Sequence, residues 1–194
     1  MLLATSILVV VLLLWAVMLF NRLVQLRNRI ANAFGQIDVQ LKRRYDLIPN
    51  LVEVARAYLT HEAATLEAVT RARGLAQSAA STARAQPGSA SGISALALAE
   101  TELGTSLGRL MAVTENYPDL KADATMRSLS EELTSTENRL GFARQAYNDQ
   151  VLDFNNEATQ FPSLLVARLL GFPPAAMLQA TQNEDERAAP PVRF

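Results

Sequence analysis

His61-Glu62 matches the opening of a zinc-binding His-Glu-x-x-His motif, where two histidines one helical turn apart hold the metal and the glutamate acts as base. Residue 65 is Thr and the chain has a single His, so the second ligand is missing. Glu-x-x-His pairs of di-metal bundles fail in the same way, because Tyr58-Leu59-Thr60-His61 has no Glu. Glu131, Glu132 and Glu137 are carboxylates at consecutive and i+5 positions, which do not share a helix face. With no Cys, disulfides, thiolate zinc sites, iron–sulfur clusters and cysteine nucleophiles are excluded. No glycine loop suited to cradling phosphate occurs. The sequence assigns no catalytic residue, no metal site and no cofactor, and the expected class is not an enzyme.

A second set of polar residues lies on or beside apolar helix faces. Tyr45 and Tyr147 fall on such faces, where a buried hydroxyl needs a hydrogen-bond partner. Asn50, Asn138 and Asn148 lie close by, and Arg43, Arg44, Asp46, Arg139 and Arg144 complete the set. Two roles fit: an internal network that fixes helix register, or a partner-docking groove formed by Arg43, Arg44, Asp46, Asn138, Arg139, Arg144, Tyr147 and Asn148. Asp38 and Lys42 are i,i+4 and can pair.

Helices must position these groups. Ala and Leu dominate the apolar residues and aromatics make up 6%, a composition that favours helix. Apolar positions recur with spacing of three and four from Leu23 through Leu26, Ile30, Phe34, Ile37, Leu41, Tyr45 and Ile48, then from Val52 to Val69. This predicts one long helix to about Arg73. Pro49 either kinks it or reverses it; continuity is the preferred expectation, since the pattern resumes at once. Gly74 to Gly92, rich in Ala, Ser and Gly, reads as a frayed end and a loop. A second helix is expected over Ile93–Thr114, where Gly104 and Gly108 would allow close helix approach. A third is expected over Asp123–Thr159, with a seam running from Met126 to Ala158. Ser128–Glu131 and Thr134–Glu137 have capping-box spacing but lie inside it. The fold class is all-α: an N-terminal transmembrane helix followed by an elongated antiparallel bundle. The expected divisions are 1–21 (anchor), 22–172 (bundle) and 173–194 (disordered tail). If the first helix ran straight to Arg73, its seam from Leu23 to Ile48 would lack an internal partner, which predicts a homo-oligomer.

Leu2 to Asn21 carry no charge and span roughly 30 Å as a helix, the thickness of a hydrocarbon core. A cleaved signal peptide fits poorly: there is no basic start, and Asn-Arg-Leu-Val stands where small residues would be needed. Arg22, Arg27 and Arg29 flank the run on its C-terminal side alone, which predicts the N-terminus outside and the body in the cytoplasm. Residues 21–45 net +5 in a chain of net charge −1. The overall balance gives no footprint for nucleic acid, and membrane lipid is the expected partner of the basic flank.

The stretch FNRLVQLRNRIANAFGQIDVQLKRRYDLIPNLVEVARAYLTHEAATLEAVTRAR resembles the LemA family, as do ENYPDLKA, STENRLGFARQAYNDQVLDFN and FPSLLVARLLGF. RRYDLIPNLVE and TENRLGFARQAYND are its specific signatures. The resemblance implies a bacterial, membrane-anchored helical bundle without established enzymatic activity. It also implies the bacterial inner membrane and links to membrane protein quality control near a membrane protease, with one branch working on magnetosome membranes. The function expected is a non-enzymatic scaffold that self-associates and docks partners at the cytoplasmic membrane face. The alternatives are an adaptor of a membrane protease, and membrane remodelling through Arg22, Arg27, Arg29 and the apolar stretch Leu164 to Phe172.

Overall fold

The computed structural model describes residues 2–179, and all regular structure among them is helical. Helix α1 runs Leu2–Tyr58, α2 Ala63–Ala85, α3 Ala90–Thr114, α4 Pro118–Ala122, α5 Ala124–Thr159 and α6 Ser163–Leu170.

The 57 residues of α1 pass through Pro49 without a break. Proline has no N–H to give the carbonyl four residues back, here that of Tyr45. Arg73 of α2 takes the vacant role: its Nε donates to the Tyr45 carbonyl oxygen at 2.7 Å. The helix ends instead at Tyr58, and Leu59 to Glu62 turn the chain. The expected continuation to Arg73 is therefore corrected, and the reversal does not occur at Pro49. The turn contains neither Gly nor Pro; Thr60 and His61 are only weak helix formers, and Leu59 plugs it into the core.

The segment expected to be a frayed end and loop is mostly helix. Ala72, Ala76, Ala80 and Ala83 recur at spacings of four and three and are all buried, so a stripe of small side chains brings α2 down onto its neighbours. Gly88, at φ +88°, makes the return turn. At Gly92 a Cβ would stand 2.7 Å from Oγ of Ser89, whose side chain caps α3 on the Gly92 N–H, while Ala83 Cα of α2 lies at an ordinary contact distance of 3.4 Å. Gly108, in contrast, faces open space, and the paired-glycine contact is not made.

Asp123 caps α5 by accepting the Met126 N–H at 2.9 Å. The helix then runs antiparallel to α1, as Tyr58–Asp123, Arg43–Glu132 and Arg22–Glu157 contacts show. Phe34 meets Tyr147 edge-on at 5.9 Å between them. The result is an up-down-up-down bundle of α1, α2, α3 and α5. The seam from Leu23 to Ile48 is buried by this chain alone, so the unfilled seam that argued for a homo-oligomer does not exist.

α2 and α3 are ~35 Å long, whereas α5 and the body part of α1 are ~55 Å. The longer pair therefore projects past the α2–α3 turn toward the apolar run. There α6 packs on both, and the chain returns as an extended strap from Phe172 to Gln179. Composition assigns residues 173 onward to a disordered tail; 173–179 are instead bonded to the bundle, and 180–194 lie outside the described residues.

Candidate functional site

Arg44 is 5% exposed and sits in the centre of the bundle. Its Nη1 lies 2.6 Å from Glu100 Oε2 on α3, and its Nη2 lies 3.2 Å from Glu137 Oε2 on α5. The Tyr45 hydroxyl donates to the other Glu100 oxygen at 2.5 Å. Arg144 reaches Glu137 Oε1 at 3.4 Å. Two arginines and two glutamates thus join α1, α3 and α5 into a neutral cluster. Burial, then the negative charge of Glu100, pushes the Tyr45 hydroxyl far above its ordinary range, so it stays a protonated donor. The cluster also floors a groove of about 330 Å³ between α3 and α5, walled by Ile37, Leu41, Leu96 and Leu140 and closed at one end by Leu178. Arginine pairs with each carboxylate, and these pairs tie the three helices to one another.

A second polar set holds the strap. Asn155 binds both the N–H and the carbonyl of Ala175, at 2.8 and 2.9 Å. Asn148 does the same to Leu178, at 2.8 and 3.1 Å. Between them the Tyr147 hydroxyl donates to the Ala176 carbonyl at 2.8 Å, and burial pushes that hydroxyl up to about 12. These bonds all go to backbone.

The candidate residues therefore separate. Arg44, Tyr45 and Arg144 form the cluster, while Tyr147 and Asn148 clamp the strap. Arg43 pairs with Glu132 at 2.6 Å on the surface. Asp46, Asn50, Asn138 and Arg139 are exposed and join neither set. Asp38 pairs with Arg84 of α2, not with Lys42. His61 is exposed in the first turn. Among the basic flank, Arg22 is bound to Glu157 at 2.9 Å, and Arg27 and Arg29 are exposed. Sequence reasoning missed Glu100, Arg73 and Asn155. Glu100 carried a signal, since it lies on the α3 seam between Leu96 and Leu103.

α1 supplies one helix long and apolar enough to cross a membrane, with residues 3–20 exposed or half-exposed along its first part. The chain is similar to magnetosome proteins MamQ 1 and MamQ 2 of Paramagnetospirillum magneticum, each 33% identical over 107 residues, or 55% of this chain and 39% of theirs. It is also similar to magnetosome protein MamQ of Magnetospirillum gryphiswaldense, 32% identical over 78 residues, or 40% of this chain and 29% of that one. The aligned part thus spans well under half the length of these relatives. Residues 33–194 match the LemA family, and the chain belongs to it.

Proposed function

We propose that this protein is a membrane-anchored, non-enzymatic scaffold that self-associates and docks partners at the cytoplasmic membrane face. One observation carries this reading: the apolar run and the central helix of the bundle are a single unbroken helix, α1. A body built on the span itself cannot swivel on a linker, and it holds its outer surface at a fixed height above the bilayer. Arg44, Tyr45, Tyr147 and Asn148 spend hydrogen bonds inside the chain, so docking falls to the outward residues Arg43, Asp46, Asn138 and Arg139. With the seam filled, self-association falls to the exposed span.

Photo-crosslinking in intact cells tests both halves. A photoreactive residue at Arg139 should give discrete adducts, and deleting residues 1–21 should abolish them and shift most of the body out of the membrane fraction. Adducts that persist without the span would overturn the anchoring. No adducts from Arg43, Asp46, Asn138 or Arg139 would overturn the docking.

A further inference from the structure

α6 leaves large apolar side chains uncovered. Leu165 is 60% exposed, Leu169 84% and Leu170 52%, and Phe161 just before the helix is 78% exposed. Leu165 and Leu169 are four apart on one face of α6. The opposite side, Ser163 and Ala167, is buried against the bundle. A helix this short with an apolar stripe facing outward is not explained by packing inside the chain.

Its place explains it. Ala16 and Leu19 are the partly covered residues of an otherwise exposed apolar run, and α6 packs on α1. The Phe172 ring, just past α6, meets Phe20 edge-on at 5.6 Å. Glu157, at the end of α5, receives both Arg22 at 2.9 Å and the Ser163 hydroxyl at 2.7 Å, tying the first turn of α6 to the foot of the span. Residues 3–20 cover ~27 Å along the helix, close to the depth of a hydrocarbon core. Phe20 therefore stands at the edge of that core, and α6 beside it at the same level. Arg168 follows on the same short helix, and Arg27 and Arg29 are exposed about two turns above. Apolar residues at the boundary with cations toward the headgroups are the pattern of an interfacial helix.

We infer that α6 and Phe161 form a second membrane contact, seated in the interfacial layer of the leaflet next to the body and continuous with the span. The occupant of this face is lipid, with anionic headgroups toward Arg27, Arg29 and Arg168. A second contact on one side of the span holds the body at one tilt, which a span alone does not. The inference rests on α1 being a span.

The native chain has no Cys, so single cysteines report cleanly. Full-length Leu169→Cys, Leu12→Cys and Leu98→Cys would each carry an environment-sensitive fluorophore in bilayers of equal parts phosphatidylcholine and phosphatidylglycerol. Leu169 and Leu98 are both exposed, so labelling leaves the core intact. Lipid with a doxyl quencher near the headgroup end of its acyl chain should quench the probe at 169 several-fold more than the probe at 98. Equal quenching at 169 and 98, with the probe at 12 quenched by a deep doxyl label, overturns the inference and leaves the span standing. A blue-shifted but unquenched probe at 169 assigns the face to a second copy or another protein and overturns it too. No quenching at 12 removes the span, and the inference with it.

Discussion

Glu100 serves two donors from α1, Arg44 on one oxygen and Tyr45 on the other, in a site where its side chain is 10% exposed. Removing one member of such a pair leaves an uncompensated charge, at a cost of about 3–5 kcal/mol, whereas replacing both by apolar residues is often neutral. Arg44→Met should therefore lower the unfolding free energy by roughly 3 kcal/mol, and Arg44→Met with Glu100→Met should recover part of it, the Tyr45 hydroxyl having lost its acceptor. Chemical denaturation of the detergent-extracted chain reads both; a double variant as unstable as the single would refute the register role. Arg144 makes a weaker, half-exposed contact, so Arg144→Ala belongs at the mild end of the same series. At the foot of the bundle, the Ser163 hydroxyl and then Arg22 hold the Glu157 carboxyl below its ordinary range. The unfolded chain binds that proton more readily, so the stabilisation is complete above about pH 4.3 and fades as the pH falls through the lower folded value. Protection factors of α6 amides should drop on that acid side, and Glu157→Gln should flatten the dependence. The tyrosine hydroxyls are legible in the sequence, because a phenol on an apolar seam must find a partner. Their partners are not: Glu100 lies 56 positions from Arg44, and only the register of three helices brings the two together.

Pro49 shows how an element absorbs a residue that should break it. The carbonyl it orphans, on Tyr45, is bonded by Arg73 from the neighbouring helix. Hydrogen bonds to a charged donor are worth about 1.5 kcal/mol or more. Arg73→Met should cost about that in the native chain but much less in a Pro49→Ala background, where the helix satisfies its own carbonyl. A double-mutant cycle measured by thermal unfolding checks it, and strict additivity would count against the compensation. The strap is the converse case, an element with no regular structure held by amide side chains. Tyr147→Phe should cost roughly 1 kcal/mol and raise hydrogen exchange at Ala176 and Leu178 ahead of the bundle. Leucine and isoleucine seams made α1, α3 and α5 readable, since large apolar residues at three and four report a buried face directly. α2 was hidden because its buried face is alanine, which is as common in exposed helices and loops as in cores. The turn at Leu59 to Glu62 was hidden because no Gly or Pro marks it. The strap was hidden because its sequence, Pro-Pro-Ala-Ala, carries no pattern: Asn148 and Asn155 bind its backbone, which every residue has.

At the scale of the molecule the question is where one copy ends and another begins. The four long helices of the body close on themselves, with Leu23, Ile30, Phe34, Ile37 and Leu41 all at 1% exposure or less. Soluble association needs an apolar face still open to a partner. On this body the open apolar stripe is on α6, where lipid or detergent covers it. Among the described residues, 3–20 of α1, exposed or half-exposed, offer the one long uncovered apolar surface. A chain lacking residues 1–21, kept in mild detergent so that α6 stays covered, should therefore run as a monomer, while the full chain in the same detergent runs larger. Light scattering coupled to size exclusion, with detergent mass subtracted, gives both numbers. A truncated body that still pairs would place the self-contact on the bundle; Val39, Leu98 and Phe142, at 59%, 56% and 74% exposed, would then be the positions to mutate first. A full chain that is itself monomeric would remove self-association from the proposed role and leave the single upright bundle as the scaffold.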